Sequence, residues 1–597
     1  MKNREKLLLA LALGLTIIAY LPSLRGEFIS DEYLLILNNP RVQHPQGLKD
    51  LLTDKFWTGK AKGIYYRPMI ILSYELNWRL SGKSTLGYHL LNLGFYLGAI
   101  ILFFFLARRW MPEAGLLATA LFALHPAHTE SVAWIPGRTD TLAGFFILLG
   151  WLLWEKAAAA KPRAKIVIYI TIFLCVGLGL FSKEIAVLAP GLFFVSDWWL
   201  KPKEQGMREL LKERMFGYLL ILLALLGYFW LRHQALSGPG LEPARAFLEG
   251  VPVWKKPLLV SRLWTEYLKI LAFPHPLRMD GFYSHKFVPG SYPLWPSLVC
   301  GVCWAAALAA VFAGFFRRNS LAVLGLFWVM SLLPVSHLIS LPNSMAVRFL
   351  FLPSLFYALA LGAALSRLGK KFPRSAMSLG AILFALLFLL TLFANRGYRN
   401  RYSYLRKLVF EVPEGTVVHN QLGLAALDRG WLSSAERQFS WALALMPDYP
   451  EAMVNLSLVK LKMGEDAAAR ELLEKAISIS PGYADAYYDL GLVLKGEGKM
   501  GEAVEHFARA AELEPQNPGP LFELGAIKFD EGELASAKDY ADAALNSASW
   551  HLPSLKLRVK IALLEKDYSR AQALLGRAKE LAPGDPELAR LQESLLR

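Results

Sequence analysis

Residues 447–514 read PDYPEAMVNLSLVKLKMGEDAAARELLEKAISIS and then PGYADAYYDLGLVLKGEGKMGEAVEHFARAAELE, two lines of 34 residues with their small residues in register. The register runs outward from them. Ala435, Ala469, Ala503, Ala537 and Ala571 fall 34 apart, as do Ala442, Ala476, Ala510, Ala544 and Ala578. Pro413, Pro447, Pro481, Pro515 and Pro583 keep the same spacing, with Ser549 at the one missing turn. Gly423, Gly491 and Gly525 share another phase, with Ser457 between them. Two small residues seven apart let paired helices approach closely, and a proline ends the second helix of each pair.

This is the tetratricopeptide pattern. Five repeats fit residues 413–597, with 585–597 as a polar capping helix. The fifth repeat lacks the glycine phase. First-helix positions Asn420, Tyr488 and Phe522 share one phase and are expected to line a groove for a protein or peptide segment.

Upstream the physics changes. The 597-residue chain is 54% hydrophobic and 13% aromatic, with mean hydropathy +0.33, which excludes a disordered chain, a disulfide scaffold or a single soluble globule. Residues 1–412 hold 45 Lys and Arg against 21 Asp and Glu, whereas 413–597 hold 20 against 28. The basic excess sits in the apolar part, where it reads as cytoplasmic loop charge and lipid-phosphate contact, not nucleic-acid binding. An all-α architecture follows: a polytopic membrane domain over 1–395, a juxtamembrane linker over 396–412, and the repeats. Eleven spans are expected, near 7–24, 86–107, 114–125, 141–154, 166–181, 185–200, 216–231, 294–315, 321–340, 347–365 and 376–394. The first, preceded by Lys2, Arg4 and Lys6, is read as a retained anchor rather than a signal peptide. The stretch 257–273 carries Arg262, Glu266 and Lys269 along one stripe and is taken as an interfacial or re-entrant helix. With the N-terminus inside, five basic loops fall in the cytoplasm, while Arg396, Arg399, Arg401, Arg406, Lys407 and the repeats fall outside. An integral multi-pass protein results, in a bacterial inner membrane or a eukaryotic membrane of the endoplasmic-reticulum type. Cys300 and Cys303 are expected to be buried packing, not a redox pair.

The ionisable outliers gather on the outer face of this topology. They are Asp31-Glu32 after the first span, His125, His128, Glu130, Arg138 and Asp140 in HPAHTESVAWIPGRTD, Lys183-Glu184 at a hairpin, and His337 to Arg348. Arg67 in YYRPM joins them. Charges at membrane depth cost about 2.5–3.5 kcal/mol each on insertion scales, so they tend to line a cavity. Plainer readings exist for each: a solvated loop start, a hairpin ion pair, hydrogen-bonded loop histidines, a headgroup-seeking arginine. His275, Asp280 and His285 are weaker still. No phosphate-cradling glycine loop or serine-nucleophile motif occurs. A carboxylate pair among cations suits transfer from a phosphate-linked lipid donor, with a carboxylate deprotonating the acceptor hydroxyl and cations stabilising the leaving phosphate. The expected assignment makes Asp31 the base, Glu32 its companion orienting the acceptor, and Arg138, Lys183, Arg348 and Arg67 the phosphate ligands. The spacing of His125, His128 and Glu130 could ligate a metal, but hydrogen-bonded loop histidines are preferred, and no metal or cofactor is expected.

DEYLLILNNPRV, YYRPM, HPAHTESVAWIPGRTD, SKE and VRFLFLPS, followed by the repeats, resemble the transmembrane and tetratricopeptide-repeat O-mannosyltransferases and their bacterial relatives, which are GT-C glycosyltransferases. The resemblance spans nearly the whole chain in order. It implies a polyprenyl-phosphate sugar as donor, a protein hydroxyl as acceptor, and Asp31 or Glu32 as the first-loop acidic motif. Ser30 precedes Asp-Glu here where the family often has an aromatic residue before an Asp pair. Two other classes fit the sequence: a non-catalytic membrane-anchored scaffold, and a glycan ligase or lipid-sugar transporter.

Overall fold

The apolar runs fold as helices bounded by residues that cannot continue them. Pro162 and Pro373 open two of them, where a missing N–H costs nothing. Asn319 caps another, its side chain accepting from the N–H groups of Leu321 and Ala322 at 2.9 and 3.3 Å. Lys183 leaves the helix Pro162–Ser182 in extended conformation and so makes the expected hairpin turn. The computed structural model describes residues 3–44, 47–53, 65–202, 206–237, 248, 251–275, 277, 293–337 and 345–596. Asp280 and His285 lie outside them. The chain divides into two units, Met1–Glu414 and Gly415–Arg597.

Among the described residues of the first unit, seven helices are long and apolar enough to cross a membrane: Asn3–Leu24, Thr85–Trp110, Pro162–Ser182, Met207–Leu236, Leu294–Phe316, Val347–Lys371 and Pro373–Arg396. The other four expected spans are helices of a different kind. Gly115–Ala123 has 9 residues and Ala189–Leu200 has 12, about 14 and 18 Å of rise against some 30 Å of hydrocarbon. Ser320–Leu332 is also short. Arg138–Ala157 is long enough but carries Arg138, Asp140, Glu155 and Lys156. The stretch 257–273 forms the helix Lys256–Ala272, which buries Leu259, Leu263, Trp264, Tyr267 and Ile270 along one side. Residues 396–412, expected as a linker, instead contain the helix Arg401–Glu411, which belongs to the first unit.

Burial sorts these helices. Phe351–Lys371 and Arg138–Ala157 are packed on most sides. Leu294–Phe316 buries only Ser297 and exposes Trp295, Val302 and Phe312, a surface suited to hydrocarbon. Cys300 and Cys303 lie on this helix, partly exposed and exposed, so the expectation of buried cysteines is corrected: the helix packs one side on the protein, through Trp304 against Trp264 and Trp328, and leaves the rest of its surface open. One end of the bundle is braced by ions. Glu155 pairs with Arg109 at 2.7 Å and accepts from the Trp110 indole, and Asp197 holds Arg214 at 3.1 Å and the Trp154 indole at 3.0 Å.

The second unit is five helix pairs and a cap. First helices start at Thr416, Pro450, Ala484, Pro518 and Leu552, second helices at Leu432, Asp466, Met500, Leu534 and Tyr568, and Pro586–Leu596 closes the stack. The Ala phases read from the sequence are fully buried. The glycine phase has a steric cause. A Cβ on Gly423 would stand 2.5 Å from the Phe439 ring, and one on Gly491 would stand 2.6 Å from Phe507. In the second repeat the same two positions hold Ser457 and Leu473, and in the fifth Val559 and Leu575. A second glycine phase marks the turn inside each pair: Gly430, Gly464, Gly498 and Gly532 have φ of 71 to 81°. The fifth repeat puts Lys566 there, at φ 60°.

Candidate functional site

Arg138 organises one end of the first unit. Its Nε donates to Asn92 Oδ1 at 2.6 Å, one terminal nitrogen to Ser73 Oγ and O at 3.0 and 3.2 Å, and the other to Tyr88 O at 2.9 Å. Its guanidinium lies 5.0 Å from the Tyr74 ring centre. Asn92 in turn donates to the carbonyls of Val132, Trp134 and Ile135, which fixes the loop before Arg138. The residue is 0% exposed. Its expected role as a phosphate ligand is therefore corrected: the guanidinium is spent on tying Pro68–Ser81, Thr85–Trp110 and Arg138–Ala157 together.

The loop histidines are structural as well. His125 Nδ1 accepts from Ala127 N, and its Nε2 donates to Leu271 O at 3.0 Å. His128 sits between Tyr96 Oη at 2.7 Å and Ser354 Oγ at 2.8 Å. Burial holds His125 down at about 4, so it is neutral. Among the described residues no group of three His, Cys, Asp or Glu is placed to hold a metal. His337 lies in a buried turn at φ 56°, next to Ser336, whose hydroxyl accepts the Trp264 indole N–H at 2.7 Å.

The remaining outliers converge as three ion pairs. Arg348 gives both its backbone N–H, at 2.9 Å, and its guanidinium to the Glu130 carboxylate. Lys183 Nζ meets Asp140 Oδ1 at 2.5 Å, and Arg67 meets Glu184 at 2.8 Å. Phe349 lies between two of the cations, its ring centre 5.3 Å from Arg348 and 5.2 Å from Lys183. Tyr65 lies 4.3 Å under the Arg67 guanidinium, and Trp134 lies 5.4 Å from that of Arg348. Burial lowers Lys183, against the pull of Asp140. Burial pushes the Glu184 carboxyl up, but Arg67, a backbone N–H and Lys183 together keep it below its ordinary value. Counting cations alone misjudged this site, because each is held by a carboxylate. Tyr65, Trp134 and Phe349 were missed, although they stand inside the motifs that named their neighbours.

The first-loop acids separate in role. Glu32 is 1% exposed, and its Oε2 accepts from Ser30 N at 2.8 Å. Burial pushes its carboxyl up to about 7. It shapes the loop and cannot reach an acceptor, which corrects its expected contact with substrate. Asp31 is only partly buried; burial raises its carboxyl while Arg348 pulls it down. Of the pair, Asp31 alone is partly open to solvent, and it feels the positive charge of Arg348.

The groove residues of the second unit divide too. Asn420 is 3% exposed and bonds Asn455 at 3.0 Å and Tyr449 Oη at 3.3 Å, so it ties neighbouring repeats and offers no contact surface. Tyr488 and Phe522 are half-buried, packed on Phe507 and His551 at 5.9 and 5.7 Å.

Tetratricopeptide-repeat family models match residues 420–484 and 484–517. Among curated relatives, protein O-mannosyl-transferase F38B6.6 of Caenorhabditis elegans is 25% identical, over 74% of this chain and 63% of its own. Human protein O-mannosyl-transferases TMTC1 and TMTC4 are 26 and 27% identical, covering 75 and 71% of this chain and 56 and 64% of theirs. The chain thus spans about three fifths of the length of the curated relatives it matches. It is a helical membrane protein with tetratricopeptide repeats, related to the proteins named protein O-mannosyl-transferases.

Proposed function

We propose that the chain transfers a sugar from a polyprenyl-phosphate donor to a hydroxyl on a protein, at the outer or lumenal face of the membrane. Asp31 takes the proton of the acceptor hydroxyl, whose oxygen attacks the anomeric carbon. The bond from that carbon to the donor phosphate breaks, and the departing phosphate gains charge beside Arg348, Lys183 and Arg67. These cations are 14, 8 and 12% exposed, within reach where Arg138 is not. Their carboxylate partners hold them in place before donor arrives, and such charge-assisted contacts are worth about 1.5–3 kcal/mol each. The observation that carries the reading is the partly open Asp31 within the electrostatic reach of Arg348, whose guanidinium Glu130 holds in place. The name of the relatives makes mannose the first sugar to test.

The expected side of the repeats gains support within the first unit. Glu27 N donates to Arg399 O at 3.0 Å, so the segment leading to the repeats starts beside the Asp31 loop. Protease added to the cytoplasmic face of sealed vesicles should spare residues 415–597. For the chemistry, purified chain in liposomes with polyprenyl-phosphate mannose and a Ser/Thr peptide is the direct test. Asp31→Asn should keep its melting temperature and lose about 100- to 10,000-fold in rate. Near-normal turnover in that variant defeats the assignment. No metal is needed in this scheme, and chelator should leave the rate unchanged.

A further inference from the structure

Where the ends of Asn3–Leu24 and Pro373–Arg396 meet the helix Arg401–Glu411, they enclose a half-open cavity of about 1690 Å³. Arg25, Arg396, Arg399, Arg406 and Lys407 line it, and among the described lining residues Glu411 is the one carboxylate. Its charge balance is the reverse of the Asp31 cluster, where carboxylates outnumber cations. The deep end carries two unsatisfied groups. Lys407 Nζ lies 3.9 Å from Glu411 Oε1 and 4.4 Å from the Tyr398 ring centre, and neither Lys407 Nζ nor Glu411 Oε2 has a hydrogen-bond partner. Glu411 is 8% exposed, and the Lys407 side chain is 12% exposed. Buried polar groups without a hydrogen bond are rare and costly, so two of them facing a cavity point to a ligand. Burial pushes the Glu411 carboxyl up to about 8 and pulls Lys407 down, each against the attraction of the other. Whichever of the two carries the proton has an N–H or O–H to give to an acceptor in the cavity. Leu21, Leu390, Phe393 and Phe410 supply apolar wall.

We propose that this cavity binds the phosphate head of an amphiphile, with Lys407 and Glu411 on the phosphate oxygens, the four arginines around the mouth, and the apolar wall taking the start of the hydrocarbon. The arginines suit a phosphate because their planar donors match its oxygens. The proposal needs binding only and stands apart from the transfer reaction. An isoprenyl phosphate and a bilayer phospholipid share this chemistry.

The test uses the full chain in neutral detergent with farnesyl phosphate as probe, read by native mass spectrometry and titration. Farnesyl phosphate should bind at least about tenfold tighter than farnesol. R396Q/R406Q alters exposed residues only and should weaken it about tenfold with the melting temperature unchanged, and Lys407→Gln should do the same. Asp31→Asn should bind as wild type, so a failed transfer reading leaves this result standing. Displacement by phosphatidylglycerol would assign the site to bilayer lipid, and resistance to displacement would assign it to isoprenyl phosphate. Equal affinity for farnesol, or wild-type affinity in R396Q/R406Q, overturns the proposal.

Discussion

Replacing Arg138 separates a structural from a ligand-binding role at the most buried cation of the site. In Arg138→Gln, Asn92 Oδ1, Ser73 O and Tyr88 O each lose a donor in a place water does not enter. An unsatisfied buried acceptor costs about 1–3 kcal/mol, so three place the loss at about 3–9 kcal/mol. Whole-domain stability is about 5–15 kcal/mol, so the variant should fold poorly or not at all. Arg138→Lys keeps the charge but has no planar fork to span three helices, and should recover less than half of the loss. Arg67→Gln is the control. Its partner Glu184 is 33% exposed and can be rehydrated, so its loss should stay within about 1 kcal/mol while transfer falls. The assay is a heat ramp on detergent-solubilised protein followed by size-exclusion chromatography, with transfer measured on the same samples. If Arg138→Gln melts with wild type and loses only transfer, Arg138 contacts the donor and the structural argument is wrong.

Glu32 gives a pH signature. Its carboxyl sits at about 7 in the fold against 4.5 as a free group, so the folded chain holds the proton more tightly. The stability this adds is full below pH 4.5 and is lost as pH rises through 7, a swing of roughly 3 kcal/mol. Glu32→Gln should flatten that fall and melt higher than wild type at pH 8; a lower melting point there refutes it. In the repeats, Lys566→Gly should gain about 1 kcal/mol in thermal unfolding, because a side chain at φ 60° is strained. Gly498→Ala should lose a similar amount, and no change in either would remove the strain argument. Deleting 415–597 should raise KM for protein acceptors and spare a short peptide; equal loss on both would show that the repeats do not recruit acceptor.

The repeat unit was legible because its signals are local and recur. The 34-residue phases of alanine and proline became helix pairs at the expected places, and the turn glycines 430, 464, 498 and 532 could have been read in the same way. In the membrane unit, hydropathy located the helices, while Gly115–Ala123 and Arg138–Ala157 differ from the seven long apolar helices by short length or buried charge. The convergence of outliers was readable from topology. Their pairing was not, because Arg348 meets Glu130 across 218 positions and Arg67 meets Glu184 across 117. Nor does a sequence reveal that Arg138 is held by carbonyls and an amide, which leave no charge pattern. The brace of Glu155, Asp197 and Arg214 was missed, though two acids inside apolar runs were a usable sign.

The small-over-large contacts within the repeats limit how the array can be rearranged. Gly423 leaves room for Phe439 and Gly491 for Phe507, while Ser457 stands with Leu473 and Val559 with Leu575. A repeat moved whole carries both partners with it. A crossover at the turn between them would set a valine against a phenylalanine ring, or leave a glycine facing a leucine with an empty space between. Recombination that touches the first or third repeat should thus survive when its breakpoints fall between helix pairs, which there makes the 34-residue pair, not the single helix, the unit that can be copied or exchanged; the fourth repeat, with Gly525 and Ala541 at these positions, lacks that constraint.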